Sequence, residues 1–225
     1  MKKILITLFV VSLSLLSCEN DINSDDKSID NRHLTNRSID DDLRIFAKEH
    51  VSISEEILIL LKNSESNLSF DNNSYIECLN LTTEENVIEY FQHKGVQEPK
   101  LLVEKVKQLK SNYELLLINS SIFKDLSNDD KKIKIEESLI KAMDLSPYFS
   151  IDSNVNLKTD ANCTEQYNTD IKRCNRNQAI GLGFSFVGGV LTGGVGGWLG
   201  AAASTTAYHF CVEDAIEDFN NCRKK

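Results

Sequence analysis

No stretch of this 225-residue chain alternates apolar with polar residues under β-branched enrichment, so no sheet is expected. Its four histidines, His33, His50, His93 and His209, are scattered and never form an H-E-x-x-H pair. A G-x-S-x-G nucleophile elbow is missing, as is a G-x-G-x-x-G turn following a strand. The glycine-rich region lacks the G-K-[ST] ending of a phosphate-binding loop. These absences leave catalysis without a recognisable centre, and neither a cofactor nor a metal is expected. Bases are also scarce, with 25 Lys and Arg against 34 Asp and Glu. Such a balance disfavours nucleic acid as a partner, because phosphate attracts basic surfaces.

What is present begins with MKKILITLFVVSLSLLSC. Two lysines precede a weakly polar to apolar run from Ile4 to Leu16, too short to span a bilayer comfortably and suited to a secretory signal. The run ends in Leu15-Leu16-Ser17-Cys18, which resembles the lipobox of bacterial lipoproteins. That resemblance implies cleavage before Cys18 and acylation of its sulfur, palmitate included, with residues 1–17 removed as the signal peptide. The mature chain would carry 23 bases against 34 acids, a net charge of −11. Glu19 follows the cysteine in place of the aspartate that retains some lipoproteins at the inner membrane, so the outer membrane is the expected location, on its surface or periplasmic face. The acids Glu19, Asp21, Asp25 and Asp26 resemble the surface-export tether of lipoproteins from Bacteroidota. Residues 18–38 read as the lipidated cysteine and a disordered acidic tether, too poor in apolar residues to offset chain entropy.

Residues 39–146 read as a small bundle of amphipathic helices. Ser38 suits the N-cap of a helix opening on Asp40, Asp41 and Asp42, acids matched to the positive end of the helix dipole. Ser52 with Glu55 resembles a capping box before Ile57, Leu58, Leu60 and Leu61, and Thr82 with Glu85 a second one. A short helix is expected near Tyr75 to Leu79. Lys94-Gly95 reads as a helix stop, and Pro99 as the first turn of a helix whose apolar face holds Leu102, Val103, Val106, Leu109, Tyr113 and Leu116. Ser127 with Asp130 opens another, carrying Ile133, Ile135, Leu139, Ile140 and Met143 toward Pro147. Residues 147–161 read as a linker.

Residues 162–225 contain four cysteines, Cys163, Cys174, Cys211 and Cys222, spaced 11, 37 and 11. Eleven helical residues are three turns plus about 20°, so each flanking pair shares a face about 16 Å apart, too far for a bond within one helix. The pairs Cys163–Cys222 and Cys174–Cys211 have the same midpoint in sequence, 192.5, as an antiparallel helical hairpin closed near Thr192-Gly193-Gly194 requires. An exported chain can hold both disulfides. The plan resembles twin-cysteine hairpins of the CHCH type in outline only. Rungs about 16 Å apart cannot share a metal ion. Cys78, left over, reads as a small buried apolar residue.

In this register facing residues sum to 385. Gln178 faces Ala207, Gly181 faces Ser204, Ser185 faces Gly200 and Gly189 faces Gly196. Nine of the ten glycines fall between Gly181 and Gly200. Small residues permit the close helix approach that disulfides need, although each glycine costs up to about 1 kcal/mol of helix propensity. The larger side chains Ile180, Leu182, Phe184, Phe186, Val187, Val190, Leu191, Val195, Trp198 and Leu199 are then expected to point largely away from the seam. Of these, Phe184, Phe186, Val190, Trp198 and Leu199 are the candidates to face a membrane or a partner. Three covers are open: the N-terminal helices, a bilayer, or self-association and a partner protein. A single membrane helix over 179–203 would make the common midpoint a coincidence. The acids Glu213, Asp214, Glu217 and Asp218 read as a solvated face.

The expected architecture is all-α, a small N-terminal bundle plus a disulfide-stapled, glycine-rich hairpin. The function expected is a non-catalytic, lipid-anchored envelope or surface protein with the hairpin as core or partner-binding unit. The alternative is a membrane-active, bacteriocin- or toxin-like protein, since residues 179–205 resemble glycine-rich pore-forming peptides in composition.

Overall fold

Amphipathic segments separated by caps and single glycines give helices that must share their apolar faces, and the computed structural model of the chain has that form. It describes residues 38–71, 73, 74, 77, 80–150, 161–191 and 195–224, with the side chains of 66, 161, 186–191 and 195–199 outside that description. The signal sequence, Cys18, the tether, Cys78 and most of the segment expected near 75–79 therefore lie outside the described residues. Among those described there is no strand and there are seven α-helices. They are α1 (Ile39–Ser64), α2 (Glu84–His93), α3 (Pro99–Asn119), α4 (Ser121–Lys124), α5 (Asn128–Asp144), α6 (Ala161–Leu191) and α7 (Val195–Cys222).

The caps explain most boundaries. Ser38 Oγ accepts from the Asp41 amide at 3.2 Å, with Asp40, Asp41 and Asp42 in the first turn. Ser127 Oγ accepts from the Asp130 amide at 3.1 Å and donates to its carboxylate at 2.6 Å. Pro99 opens α3 as expected. Two expectations are corrected. The box at Ser52 opens no helix: α1 runs through it, because the buried stripe Phe46, Ala47, His50, Val51, Ser54, Ile57, Leu58 and Leu61 continues at helical spacing without glycine or proline. The cap of α2 is Thr83, which accepts from the Asn86 amide at 3.2 Å, while Thr82 accepts from the Asn86 side chain. One helical turn, α4, carried no sequence signal apart from its Ser120 cap.

The helix order fixes directions. Gln97 N–H donates to Ser64 Oγ (3.0 Å), Lys105 pairs with Glu56 (2.5 Å) and Asn112 Nδ2 donates to the Phe46 carbonyl (3.0 Å). Partners thus occur in reverse order, and α1 and α3 are antiparallel. Asp144 lies 3.6 Å from Arg176, and Leu139 packs at Gly183, so α5 and α6 are antiparallel as well. Ser146 donates to Glu55, and His50 reaches Gly183 beside Ile135 and Leu139; α1 therefore runs with α5 and against α6.

The described residues all belong to one compact unit with one apolar core. Leu43, Ile57, Leu58 and Leu61 from α1, Leu102 and Leu109 from α3, and Ile135, Leu139 and Met143 from α5 are fully buried. Each such side chain contributes about 1.5–3 kcal/mol relative to exposure. Ala179 and Leu182 of α6 and Ala201, Ala202 and Tyr208 of α7 belong to the same core. So does Phe149, fully buried within the segment expected to begin a linker at 147.

Gly95, after the C-cap of α2, has φ +90°. A Cβ there would sit 1.8 Å from the Asn67 carbonyl oxygen. Gly95→Ala is expected to destabilise the fold by at least about 2 kcal/mol in urea denaturation, combining backbone strain with a clash against main chain.

Candidate functional site: the stapled hairpin

Helices α6 and α7 lie side by side with Cys163 bonded to Cys222 and Cys174 to Cys211. Their Cα atoms are 5.8 and 5.7 Å apart at the two rungs. These are the nested pairs that the common midpoint implies. Ordinary helix packing keeps axes about 8–10 Å apart, so rungs this close demand small residues between them.

The seam shows how little room remains. A Cβ on Gly181 would stand 2.6 Å from Ser204 Oγ. On Gly200 it would stand 2.1 Å from Ser185 Oγ and 3.0 Å from Ser185 Cα. Gly181 thus meets Ser204, and Gly200 meets Ser185, in the register that sums to 385. The hydroxyls are satisfied inside the seam: Ser185 donates to the Gly181 carbonyl (2.8 Å), and Ser204 Oγ lies 3.2 Å from the Gln178 carbonyl oxygen and 3.0 Å from its Oε1. Thr205 and Thr206 return their hydroxyls to carbonyls one turn earlier, at 2.9 and 3.0 Å. The rung expected between Gly189 and Gly196 involves residues whose surroundings are outside the description.

Where the larger side chains go is partly answered. Leu182 is buried in the common core, and Ile180 and Phe184 pack against it half-buried. Phe184, expected to face a membrane or partner, instead leans on the protein's own body. Phe186, Val190, Trp198 and Leu199 are among the side chains not described. Gly183 serves a purpose that the seam register does not reveal: it faces the bundle, where a Cβ would lie 2.9 Å from Leu139 Cδ1 and 3.6 Å from His50 Nε2. Glu213, Asp214, Glu217 and Asp218 are exposed, as a solvated face should be.

A groove of about 480 Å³ runs along the seam, lined by Gln178, Gly181, Phe184, Ser185, Gly200 and Tyr208 among others. A second, of about 530 Å³, lies on the surface around Ile88, Gln92, Pro99 and Glu104. The seam groove offers apolar walls and hydroxyls that already have partners. Burial pushes the Tyr208 phenol up, so it stays neutral at physiological pH. No described His, Cys, Asp and Glu side chains gather in a group of three that could hold a metal ion.

One polar feature escaped the sequence. His50 and Ser54 of α1 and Asn175 of α6 are buried, and His50 Nδ1, Ser54 Oγ and Asn175 Oδ1 have no hydrogen-bond partner. His50 Nε2 lies 3.1 Å from the Ala179 carbonyl, which fixes that nitrogen as the donor and leaves Nδ1 with its lone pair. The only sequence signal was a histidine standing within the apolar stripe of α1. None of the three lines either groove. His50 and Ser54, one turn apart, share no hydrogen bond that would prime a nucleophile.

Compared with protein families, curated proteins and solved structures, the chain matches none.

Two expectations can be measured. Gly200→Ala, which would gain about 1 kcal/mol on an exposed helix, should instead lower the unfolding midpoint here, and Ser185→Gly in the same chain should restore part of the loss. The second concerns pH. Burial lowers the His50 pKa from 6.5 to about 4, opposed by the hydrogen bond that His50 donates to the Ala179 carbonyl. The folded state then binds fewer protons than the unfolded chain between those values. Its contribution, about 3 kcal/mol, is complete above pH 6.5 and disappears as pH falls through 4. Circular dichroism should show a shallower loss of stability over that window in His50→Gln than in the native chain.

Proposed function

We propose that this is a non-catalytic, lipid-anchored protein of the bacterial cell envelope, held at the outer membrane through Cys18, whose stapled hairpin serves as the spine of its folded body. The observation that carries the second half is the shared core. Ala179, Leu182, Ala201, Ala202 and Tyr208 are buried with the side chains of α1, α3 and α5. A hairpin so placed completes the bundle, and taking it away would expose that whole surface to water. Among the described residues no helix is long and apolar enough to cross a membrane. The first half is supported by the basic start, the short apolar run and the Leu-Leu-Ser-Cys ending of the leader.

Metabolic labelling with radioactive palmitate in the native host should mark the protein, and Cys18→Ser should abolish the label. A label that persists in the variant, or never appears, defeats the anchor. The oxidised, unacylated body should release no dye from liposomes; release would instead favour the pore-forming alternative.

A further inference from the structure

We infer that His50 is an acid-operated latch between the bundle and the stapled hairpin. Protonating its imidazole loosens α6 from α1, while the disulfides keep the hairpin itself closed. Such a latch works whether or not Cys18 carries lipid.

The imidazole sits where the bundle and the hairpin meet. It is fully buried, and its Nε2 donates to the Ala179 carbonyl of α6 at 3.1 Å. Gly183, one turn further along α6, brings the other neighbours to the same spot. A Cβ there would lie 3.6 Å from His50 Nε2, 2.9 Å from Leu139 Cδ1 and 3.5 Å from Ile135 Cγ2, so α1, α5 and α6 converge on the ring. Phe46, one turn earlier on α1, closes another side, its ring centroid 5.5 Å from that of His50.

A second proton on this ring must enter at Nδ1, which has no hydrogen-bond partner, and it turns that nitrogen from acceptor into donor. The walls offer the new charge no counter-ion. They are Ala179 and Gly183 from α6, Ile135 and Leu139 from α5, and Phe46 from α1, with the neutral Ser54 one turn on. Behind Phe46 stands Tyr113 of α3, 6.3 Å away between rings, a phenol that burial pushes up to about 12 and so keeps uncharged. The charged groups of these helices are turned outward or engaged. Lys48 and Glu49 of α1 and Lys132 and Glu136 of α5 are exposed. Lys134 pairs with Glu137 on α5, and Lys110 with Glu114 on α3. Arg176 of α6, about 10 Å along the helix from Gly183, pairs with Asp144. Asp42 is buried, but two turns before His50 on α1, about 12 Å away.

Desolvation therefore keeps the imidazole neutral while the joint is closed, with a pKa of about 4. Once α6 moves away, water reaches the ring and the ordinary value of 6.5 returns. The open form then binds more protons than the closed one between those values, so acid favours it, by about 70-fold at pH 4.5 relative to pH 7.5. Above pH 6.5 the joint is at full strength. It is also the place that gives way first. Ala179, Gly183, Ala201 and Ala202 bring less apolar area to the joint than Leu43, Leu58, Leu61, Leu102 and Leu109 bring to the bundle. The hairpin, by contrast, is closed covalently at both rungs, and its seam hydroxyls bond within it, so it survives the separation.

The test follows the oxidised, unacylated chain by NMR between pH 7.5 and 4.5. Relaxation dispersion at the Ala179 and Gly183 amides should show the ratio of open to closed forms rising about 70-fold over that range. The nuclear Overhauser contact between Leu139 and Gly183 should weaken with it. The contact between the Tyr167 and Phe219 rings, 5.1 Å apart across the hairpin, should persist, as should the far-UV circular dichroism. His50→Gln, which can donate to the Ala179 carbonyl but takes no proton, should hold the ratio within about twofold of its pH 7.5 value. In the native chain the His50 ring nitrogens should protonate in step with the opening, a reading that needs no substitution. An open form that is missing at pH 4.5, that grows equally in His50→Gln, or that grows while His50 stays neutral would each overturn the inference. So would loss of the Tyr167–Phe219 contact in the same step, since the chain would then be unfolding as a whole.

Discussion

Everything in the C-terminal half depends on two helices being closer than helices ordinarily come. The rungs at Cys163–Cys222 and Cys174–Cys211 hold Cα atoms 5.8 and 5.7 Å apart, and the chain between them must accept that spacing. Glycine opposite serine is the solution found at Gly181 with Ser204 and at Gly200 with Ser185. The serines keep their hydroxyls within the seam, so close approach leaves no buried hydroxyl there unpaired. The cross-links in turn offset the flexibility of so many glycines: closing a loop of 59 residues restricts the unfolded chain by about 4 kcal/mol, with a smaller increment for the loop of 37 nested inside it.

A narrow hairpin also has two outer faces to satisfy. One is met by the bundle, where Ala179, Leu182 and Gly183 let α6 settle against α1 and α5. The settlement leaves a fault at His50, which spends one nitrogen on the Ala179 carbonyl and has nothing for the other. The Ser54 and Asn175 oxygens, one on α1 and the other on α6, are likewise buried without a partner. The hairpin is therefore joined to the bundle by good packing around a locally expensive histidine.

Sequence reading reached the hairpin because its signal is arithmetic: two pairs with one midpoint admit few geometries. It reached most helix ends because Ser38, Gly95, Pro99 and Ser127 act through local hydrogen bonds and backbone angles. It misplaced the entry of α2 by one residue, since Thr82 and Thr83 carry the same hydroxyl and only the fold selects between them. It divided α1 at Ser52 because a capping box is a local pattern, whereas the continuous helix is set by what Phe46, His50, Ile57 and Leu61 pack against. Phe149 and Gly183 were invisible for a related reason. One of two adjacent aromatics beyond a proline, or a single glycine among nine, gains its meaning only from a partner far away in sequence. The seam alone tells which side chains point outward but not what covers them, so the body against which Phe184 packs stood as one of three possible covers.

The seam has a consequence for how such a chain can change over generations. Side chains on a helix turn by about 100° per residue, so inserting or deleting one residue within an arm, between Cys174 and Ser185 or between Gly200 and Cys211, would rotate a small residue out of the contact and a large one into it. Single substitutions to bulk fail for the same reason. The outer face toward solvent is free to drift. Descendants should therefore preserve the spacing of cysteine to glycine within each arm more strictly than the identity of the residues around them, so that kinship among such proteins is written as distances along the chain.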